Sequence, residues 1–229
     1  MNEIIPMFSI PLGITEIPKP LVIKLVKAVY DLKEDPSMDY SHQLAGVIEE
    51  GNQVTLPHTY VTGISSWDDI AIEFQNFIIR ETEIYMDSSL RAHQVDPRVY
   101  FPDGQIKLEL MDIWATIQRP GDYNPIHTHD GLLAGTAFIK VPKFISAEVI
   151  ETTTDDTGKI DTHGSLNFVY GNSWDPKKFN LNGSYRIAPS VGKAYIFPCW
   201  LNHVVYPFKG ENISDNDRIS IAWNFKLGE

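Results

Sequence analysis

The chain has 229 residues, 43% of them hydrophobic, which suits one domain able to bury a substantial core without disulfides or a structural metal. A single cysteine, Cys199, leaves no internal bridge to form and fits a reducing compartment, with the cytoplasm as the default. Thirty acidic against 19 basic residues give a net charge of −11, which argues against a nucleic-acid-binding surface but leaves room for an anionic small molecule in a locally positive pocket.

Met1 to Phe8 has no basic region leading into an apolar run, and no segment approaches the length needed to span a bilayer, so a soluble protein is expected. After a short extended lead-in from Ile4 to Ile10, Pro18 and Pro20 open a helix whose apolar positions are Leu21, Val22, Leu25, Val26 and Val29. The stretch from Asp35 to Thr62 is rich in turn residues and reads as loops with a short strand. Ser66-Trp67-Asp68-Asp69 resembles a capping box. Ile70, Phe74, Phe77, Ile78, Ile84 and Tyr85 then mark the apolar face of a long helix ending near His93.

From Gln105 the hydrophobic period changes to two, as in strands. Strands are expected at Lys107 to Gln118, His127 to Val141, Ser146 to Glu151, Leu166 to Gly171, Tyr185 to Ala188, Lys193 to Pro198, His203 to Pro207 and Arg218 to Lys226. That count suits a double-sheet jelly roll. The organisation expected is one domain over 1–229, with 1–104 as helical and loop support and 105–229 as the jelly-roll core. The Thr- and Asp-rich stretch from Glu151 to Gly164 reads as a surface insertion, a lid or a hairpin. The two helices either brace the barrel or pair two copies as a homodimer.

The chemistry concentrates in Asn124-Pro125-Ile126-His127-Thr128-His129-Asp130 and, downstream, in His203 and Arg218-Ile219-Ser220. On an extended strand His127 and His129 project to one face, so two imidazoles can grip one ion, and His203 supplies a third ligand while leaving positions open for reactants. Imidazole binds several metals and does not choose among them. Arg218, with Ser220 two residues on and on the same face, is suited to hold a carboxylate. Trp114, Asn124 and Asn224 flank these strands as candidate pocket-lining residues. His42, His58, His93 and His163 are dispersed and read as ordinary histidines.

The order of His127-x-His129, then His203 within Phe197-Pro198-Cys199-Trp200-Leu201-Asn202-His203-Val204-Val205-Tyr206-Pro207, then Arg218-Ile219-Ser220-Ile221-Ala222-Trp223-Asn224 resembles the 2-oxoglutarate and Fe(II)-dependent oxygenases. It is most similar to a largely uncharacterised branch that includes phage-encoded members, and the resemblance covers roughly residues 107 to 226. It implies a double-stranded β-helix fold, so the fold expected for the chain is mainly β, a double-stranded β-helix (jelly roll) with the N-terminal amphipathic helices packed on it. It also implies Fe(II) held by His127, His129 and His203, and 2-oxoglutarate held by Arg218 and Ser220. For a phage-encoded protein the compartment would be the host cytoplasm.

Most of that superfamily carries a carboxylate where this chain has His129, so either three neutral imidazoles bind the iron or a bulge brings Asp130 to it; three histidines are favoured. Without a carboxylate ligand the iron keeps its full positive charge, which strengthens the pull on a dianionic cosubstrate and loosens retention of the metal in its absence. The expected activity is hydroxylation of a small-molecule or peptide substrate, with neither nucleic acid nor membrane as a partner. Two alternatives stay open: a cupin-like three-histidine metalloenzyme that does not use 2-oxoglutarate, and a non-catalytic jelly-roll module.

Overall fold

A computed structural model describes residues 10–43, 46, 48, 52–145, 163–170 and 183–228. Ten strands are described: β1 (Gly13–Glu16), β2 (Gln53–Thr55), β3 (Leu108–Gln118), β4 (Asn124–His127), β5 (Leu133–Lys140), β6 (Leu166–Val169), β7 (Ser184–Ile187), β8 (Lys193–Pro198), β9 (Asn202–Val205) and β10 (Arg218–Leu227). Two helices precede most of them, α1 (Lys19–Lys33) and α2 (Ser65–Ala92).

The helices form where the sequence alternates at helical spacing. Pro20 sits in the first turn of α1, where its missing N–H costs nothing, and Leu21, Val22, Leu25, Ala28, Val29 and Leu32 are buried along one stripe. Val26 is only partly buried against it. In α2 the stripe runs through Trp67, Ile70, Phe74, Phe77, Ile78, Thr82, Tyr85, Met86 and Leu90. Ile84, expected on that stripe, is 53% exposed. Thr82 takes the inward position instead, and its hydroxyl donates to the Ile78 carbonyl at 2.7 Å, so its polar atom is satisfied inside the core.

The expected capping box is absent, since Ile64 caps α2 without a side-chain bond. Asp68 instead reaches back from the first turn and accepts from the Thr62 amide and hydroxyl and from the Gly63 amide at 2.8 to 2.9 Å. That places a carboxylate at the positive end of the helix dipole.

The strands form two antiparallel sheets, one of six strands in the order β1-β8-β5-β10-β3-β2 and one of four in the order β4-β9-β6-β7. Both helices pack their stripes on the outer face of the six-stranded sheet, in a core that includes Ile113, Ala115, Ile117, Ile219, Ile221 and Trp223. Between the sheets lies a second core of Ala134, Phe138, Leu166, Phe168, Tyr195, Phe197 and Leu201. This is the double-stranded β-helix, with helices bracing one sheet and leaving the space between the sheets for a site.

One expected strand differs and one strand is additional. The single strand from His127 to Val141 is two strands in different sheets, because the chain crosses between them at residues 128–132. Gly131, at φ +96°, makes that crossing: a Cβ there would meet the Phe225 carbonyl at 2.6 Å. β1, which pairs with β8 from Gly13↔Ile196 to Glu16↔Lys193, was not anticipated. The strand expected at Ser146 to Glu151, the Glu151 to Gly164 insertion up to residue 162, and the lead-in up to residue 9 lie outside the described residues.

Candidate metal centre

β4 and β9 pair so that His127 lies directly opposite His203, which puts both side chains on the inner face of the smaller sheet. Their ring centroids are 4.2 Å apart. His129 sits in the crossing segment, fixed by its own amide, which donates to the Cys199 carbonyl at 2.9 Å. The Cys199 thiol in turn donates to the Gly131 carbonyl, which leaves it a small buried residue closing the crossing. The potential ligand atoms of His127, His129 and His203 all lie within 4.8 Å of one another. Asp130 is not part of this group, although it lines the adjoining cavity.

The backbone sets which nitrogen of each ring is available. His127 Nδ1 lies 2.7 Å from the Pro125 carbonyl and His203 Nδ1 lies 3.0 Å from the Leu201 carbonyl. A carbonyl can only accept, so both Nδ1 atoms carry hydrogen and both Nε2 atoms present a lone pair. His129 and His203 bring their Nε2 atoms to 3.1 Å with their rings 4° from parallel. Two nitrogens that each bind one ion at about 2.1 Å and at right angles sit about 3.0 Å apart, so the donor set fits a divalent transition metal such as Fe(II).

Phe197 and Phe168 back the His203 ring at 5.0 and 5.8 Å between centroids. In this dry setting burial pushes all three imidazoles below their ordinary pKa, His129 to about 4, with neighbouring histidines adding to the effect at His129 and His203. They are neutral at pH 7, the form that ligates metal.

Over the histidines opens a cavity of about 180 Å³ lined by Tyr40, Gln53, Asp112, Trp114, Asn124, His127, Thr128, His129, Asp130 and Asn224. Trp114, Asn124 and Asn224, candidates by their strand positions, are all among its walls. Asp112 was legible by the same alternation, two residues before Trp114 on the same face. Tyr40 and Gln53 come from the loop-rich region and carried no signal. A larger cavity of about 350 Å³ between β1 and α2 lies away from the histidines, and its Glu81 already accepts from the Thr15 hydroxyl at 2.8 Å. The chemistry belongs to the smaller one.

Arg218 and Ser220 lie further along β10, outside the walls of that cavity but on the same inward face as Ala222 and Asn224. Arg218 is fully buried. Its guanidinium donates to Gln118 Oε1 at 2.6 and 3.1 Å and to the Gly164 carbonyl, reaches the Tyr206 carbonyl at 3.4 Å, and stacks 5.1 Å over the Phe208 ring. Every acceptor is neutral. Burial lowers its pKa to about 9, with only the more distant Asp122 acting in the other direction, so the buried group remains a cation at pH 7. The Ser220 hydroxyl makes no hydrogen bond to any described residue.

A double-stranded β-helix with three inward imidazoles at the mouth of its sheets defines a metal-dependent enzyme of the jelly-roll class. Residues 112–224 match the family described as "Putative 2OG-Fe(II) oxygenase", a span that holds all three histidines, Arg218 and Ser220. The chain belongs to the 2-oxoglutarate and Fe(II)-dependent oxygenases, and its cofactors are Fe(II) and 2-oxoglutarate.

No curated protein matches the sequence. Among solved structures it is similar to a prolyl-4-hydroxylase from Pseudomonas putida, with a TM-score of 0.54 and 11% identity over 96% of this chain and 95% of that one. It is also similar to SnoK, a non-heme alpha-ketoglutarate-dependent carbocyclase of nogalamycin biosynthesis, with a TM-score of 0.50 and 10% identity over 93% and 79%. At such identities the likeness shows the fold. Among the described residues no helix is long and apolar enough to cross a membrane.

Proposed function

We propose that this oxygenase hydroxylates a small-molecule or peptide substrate, with Fe(II) held by His127, His129 and His203 and the far carboxylate of 2-oxoglutarate held by Arg218 and Ser220. The observation that carries the reading is the Arg218 guanidinium: a fully buried cation whose hydrogen-bond partners are all neutral. A buried charge without a counter-charge is costly, and a carboxylate entering beside it offsets that cost. The two contacts to the Tyr206 carbonyl are long, at 3.4 Å, so a better acceptor can replace them.

Spacing along β10 supports the same assignment. Ala222 lies opposite Trp114, whose ring centroid is 5.5 Å from that of His129, which marks the level of the metal ligands. Ser220 is two residues from that level, about 7 Å, and Arg218 four, about 13 Å. A five-carbon diacid together with an arginine side chain spans that interval.

When bound, Fe(II) and 2-oxoglutarate supply the oxidising power: dioxygen is divided between the cosubstrate, which leaves as succinate and carbon dioxide, and the substrate, which gains a hydroxyl. The chain's own residues supply order and dryness. The Pro125 and Leu201 carbonyls hold the His127 and His203 imidazoles in the ligating tautomer, and Phe168 and Phe197 keep water from the back of the His203 ring. Arg218 fixes one end of the cosubstrate and thereby the direction in which its keto-acid end points. On this reading the chain works as a single domain, with 1–104 bracing the 105–229 core, in the reducing cytoplasm.

The test is anaerobic titration of Fe(II)-loaded protein with 2-oxoglutarate, monitoring the weak visible absorption of a keto acid chelated to iron, in wild type and in Arg218→Ala. Absorption that saturates in wild type and needs far more 2-oxoglutarate in the variant supports the assignment. Equal titrations in the two proteins overturn the role of Arg218, and no absorption despite bound iron overturns the site as a whole.

A further inference from the structure

The walls of the cavity above the histidines have a consistent chemical sign. Two carboxylates, Asp112 and Asp130, line it, and among the described residues neither has a hydrogen bond or an ion pair. Gln53 and Asn224, 3% and 6% exposed, also line it, and the amide oxygen of each is buried with no partner. The amide oxygen of Asn124 is orphaned too, while its amide nitrogen faces His127 Nε2 at 3.3 Å. Buried acceptors without donors are rare in native proteins, and several around one cavity mark a place where a ligand brings the donors.

Placement in the fold makes these groups act together. Asp112 and Asn224 are cross-strand partners on β3 and β10, and Gln53 on β2 lies opposite Thr116, the residue two beyond Trp114 on the same face of β3. Tyr40 and Trp114 close one side as an aromatic wall, their centroids 6.2 Å apart. Asp112 is close enough to Tyr40 that its charge, after burial, raises the phenol's pKa. No lysine or arginine is among the lining residues. Bound Fe(II) and the 2-oxoglutarate dianion cancel in charge, so the two wall carboxylates are left to select the substrate.

We infer that the substrate presents a protonated nitrogen, an ammonium or guanidinium, to this cavity, held by Asp112 and Asp130 and the orphaned amide oxygens against the Tyr40 and Trp114 rings. Aromatic faces and carboxylates are the two surfaces that attract an organic cation, and they meet here within about 180 Å³, less than the ~300 Å³ at which drug-sized pockets begin. The cavity therefore takes the end of a chain. The net charge of −11 draws cations toward it. A free amino acid or polyamine and the side chain of a basic peptide offer the same end group. The inference rests on the oxygenase reading for the reaction of the bound substrate, but not for its binding.

The test is calorimetric titration, in the absence of dioxygen, of the Fe(II)- and 2-oxoglutarate-loaded protein with L-lysine, L-arginine and blocked Gly-Lys-Gly and Gly-Arg-Gly. L-norleucine and L-citrulline are the isosteres with uncharged side chains, as free amino acids and, with no α-ammonium either, within the same blocked peptides. At least one cation should bind ten or more times tighter than its isostere, and the free and peptide arms tell which source fits. Asp112→Asn, and separately Asp130→Asn at an exposed position where folding is not at stake, should each remove most of that preference. Equal binding of cation and isostere, no binding of any probe, or a preference that survives both substitutions overturns the inference. Repeating the titration on metal-free protein separates the two readings. A cation preference there without 2-oxoglutarate chelation in the loaded protein sinks only the cofactor assignment, whereas intact chelation without the preference sinks only the substrate class.

Discussion

His129 and His203 face each other with their rings 4° from parallel and their Nε2 atoms 3.1 Å apart, although 74 residues separate them in the chain. His203 Nε2 presents a lone pair, so without metal the His129 Nε2–H donates to it, and a metal ion that takes both nitrogens as ligands replaces that proton. Asp130 stands outside the group. Asp130→Ala should therefore leave Fe(II) affinity unchanged, and His129→Ala should abolish tight binding, as read by equilibrium dialysis of the anaerobic protein. His129→Asp adds a negative ligand. It should tighten Fe(II) binding in the absence of 2-oxoglutarate on the order of tenfold, the effect of ~1.4 kcal/mol, and weaken 2-oxoglutarate binding. If His129→Asp holds iron no better than wild type, charge does not govern metal retention here.

The same burial gives the metal-free protein an acid sensitivity. An unfolded histidine titrates near 6.5, whereas His129 is pushed down to about 4, first by desolvation and then by His127, and His203 is pushed well below 6.5. Between those values the unfolded chain binds protons that the folded chain does not. Stability therefore rises with pH across that window and is lost as pH falls from about 6.5 toward 4. The melting temperature of metal-free wild type should fall from pH 7 to pH 5, and more steeply than that of His129→Gln, which removes one of the buried imidazoles. Parallel slopes for the two proteins would show that other groups set the acid limit.

Arg218 and lysine are not equivalent at this position. The guanidinium spreads its donors over Gln118, Gly164 and Tyr206 while stacking on Phe208, and an ammonium can reproduce neither the fork nor the stack. Arg218→Lys should keep the charge yet lose at least one charge-assisted hydrogen bond to the cosubstrate, worth ~1.5–3 kcal/mol, so the 2-oxoglutarate concentration for half-saturation should rise about 10- to 100-fold. Metal affinity without cosubstrate should not change. An Arg218→Lys protein that binds 2-oxoglutarate like wild type would mean that charge alone suffices.

Most of the candidate site's geometry could be read from the chain because its parts lie on strands, where alternation dictates which residues share a face. Arg218, Ser220 and Asn224 share one strand, and Trp114 shares its neighbour with the overlooked Asp112. What alternation could not supply was the change of sheet after His127. His129 projects toward His203 because Gly131 turns the chain from β4 into β5, and local periodicity does not say which sheet a strand joins. Tyr40 and Gln53 reach the cavity from a region with no period at all, so only tertiary packing reveals them. The helices were legible by their stripes, but Ile84 shows the limit: hydrophobicity favoured it for the core, whereas helical pitch assigned that place to Thr82, whose hydroxyl the backbone satisfies.

Gly135, on central strand β5, lies opposite Trp223 on β10, and an added Cβ would fall 2.1 to 2.4 Å from three atoms of the indole. The ring has nowhere to go. It is fully buried and packs edge-on against Phe74 of α2 at 6.3 Å, so it joins the helical layer to the sheet that carries Arg218 and Asn224. Gly135→Ala should destabilise the fold by about 3 kcal/mol or more, the upper range of overpacking in a close-packed core, and should show as a lowered denaturation midpoint with unchanged metal stoichiometry in the fraction still folded. Trp223→Leu in the same chain frees the space the methyl group needs and should recover part of the loss. A double variant less stable than Gly135→Ala alone would mean that the indole supports the sheet in more ways than by filling the space above Gly135.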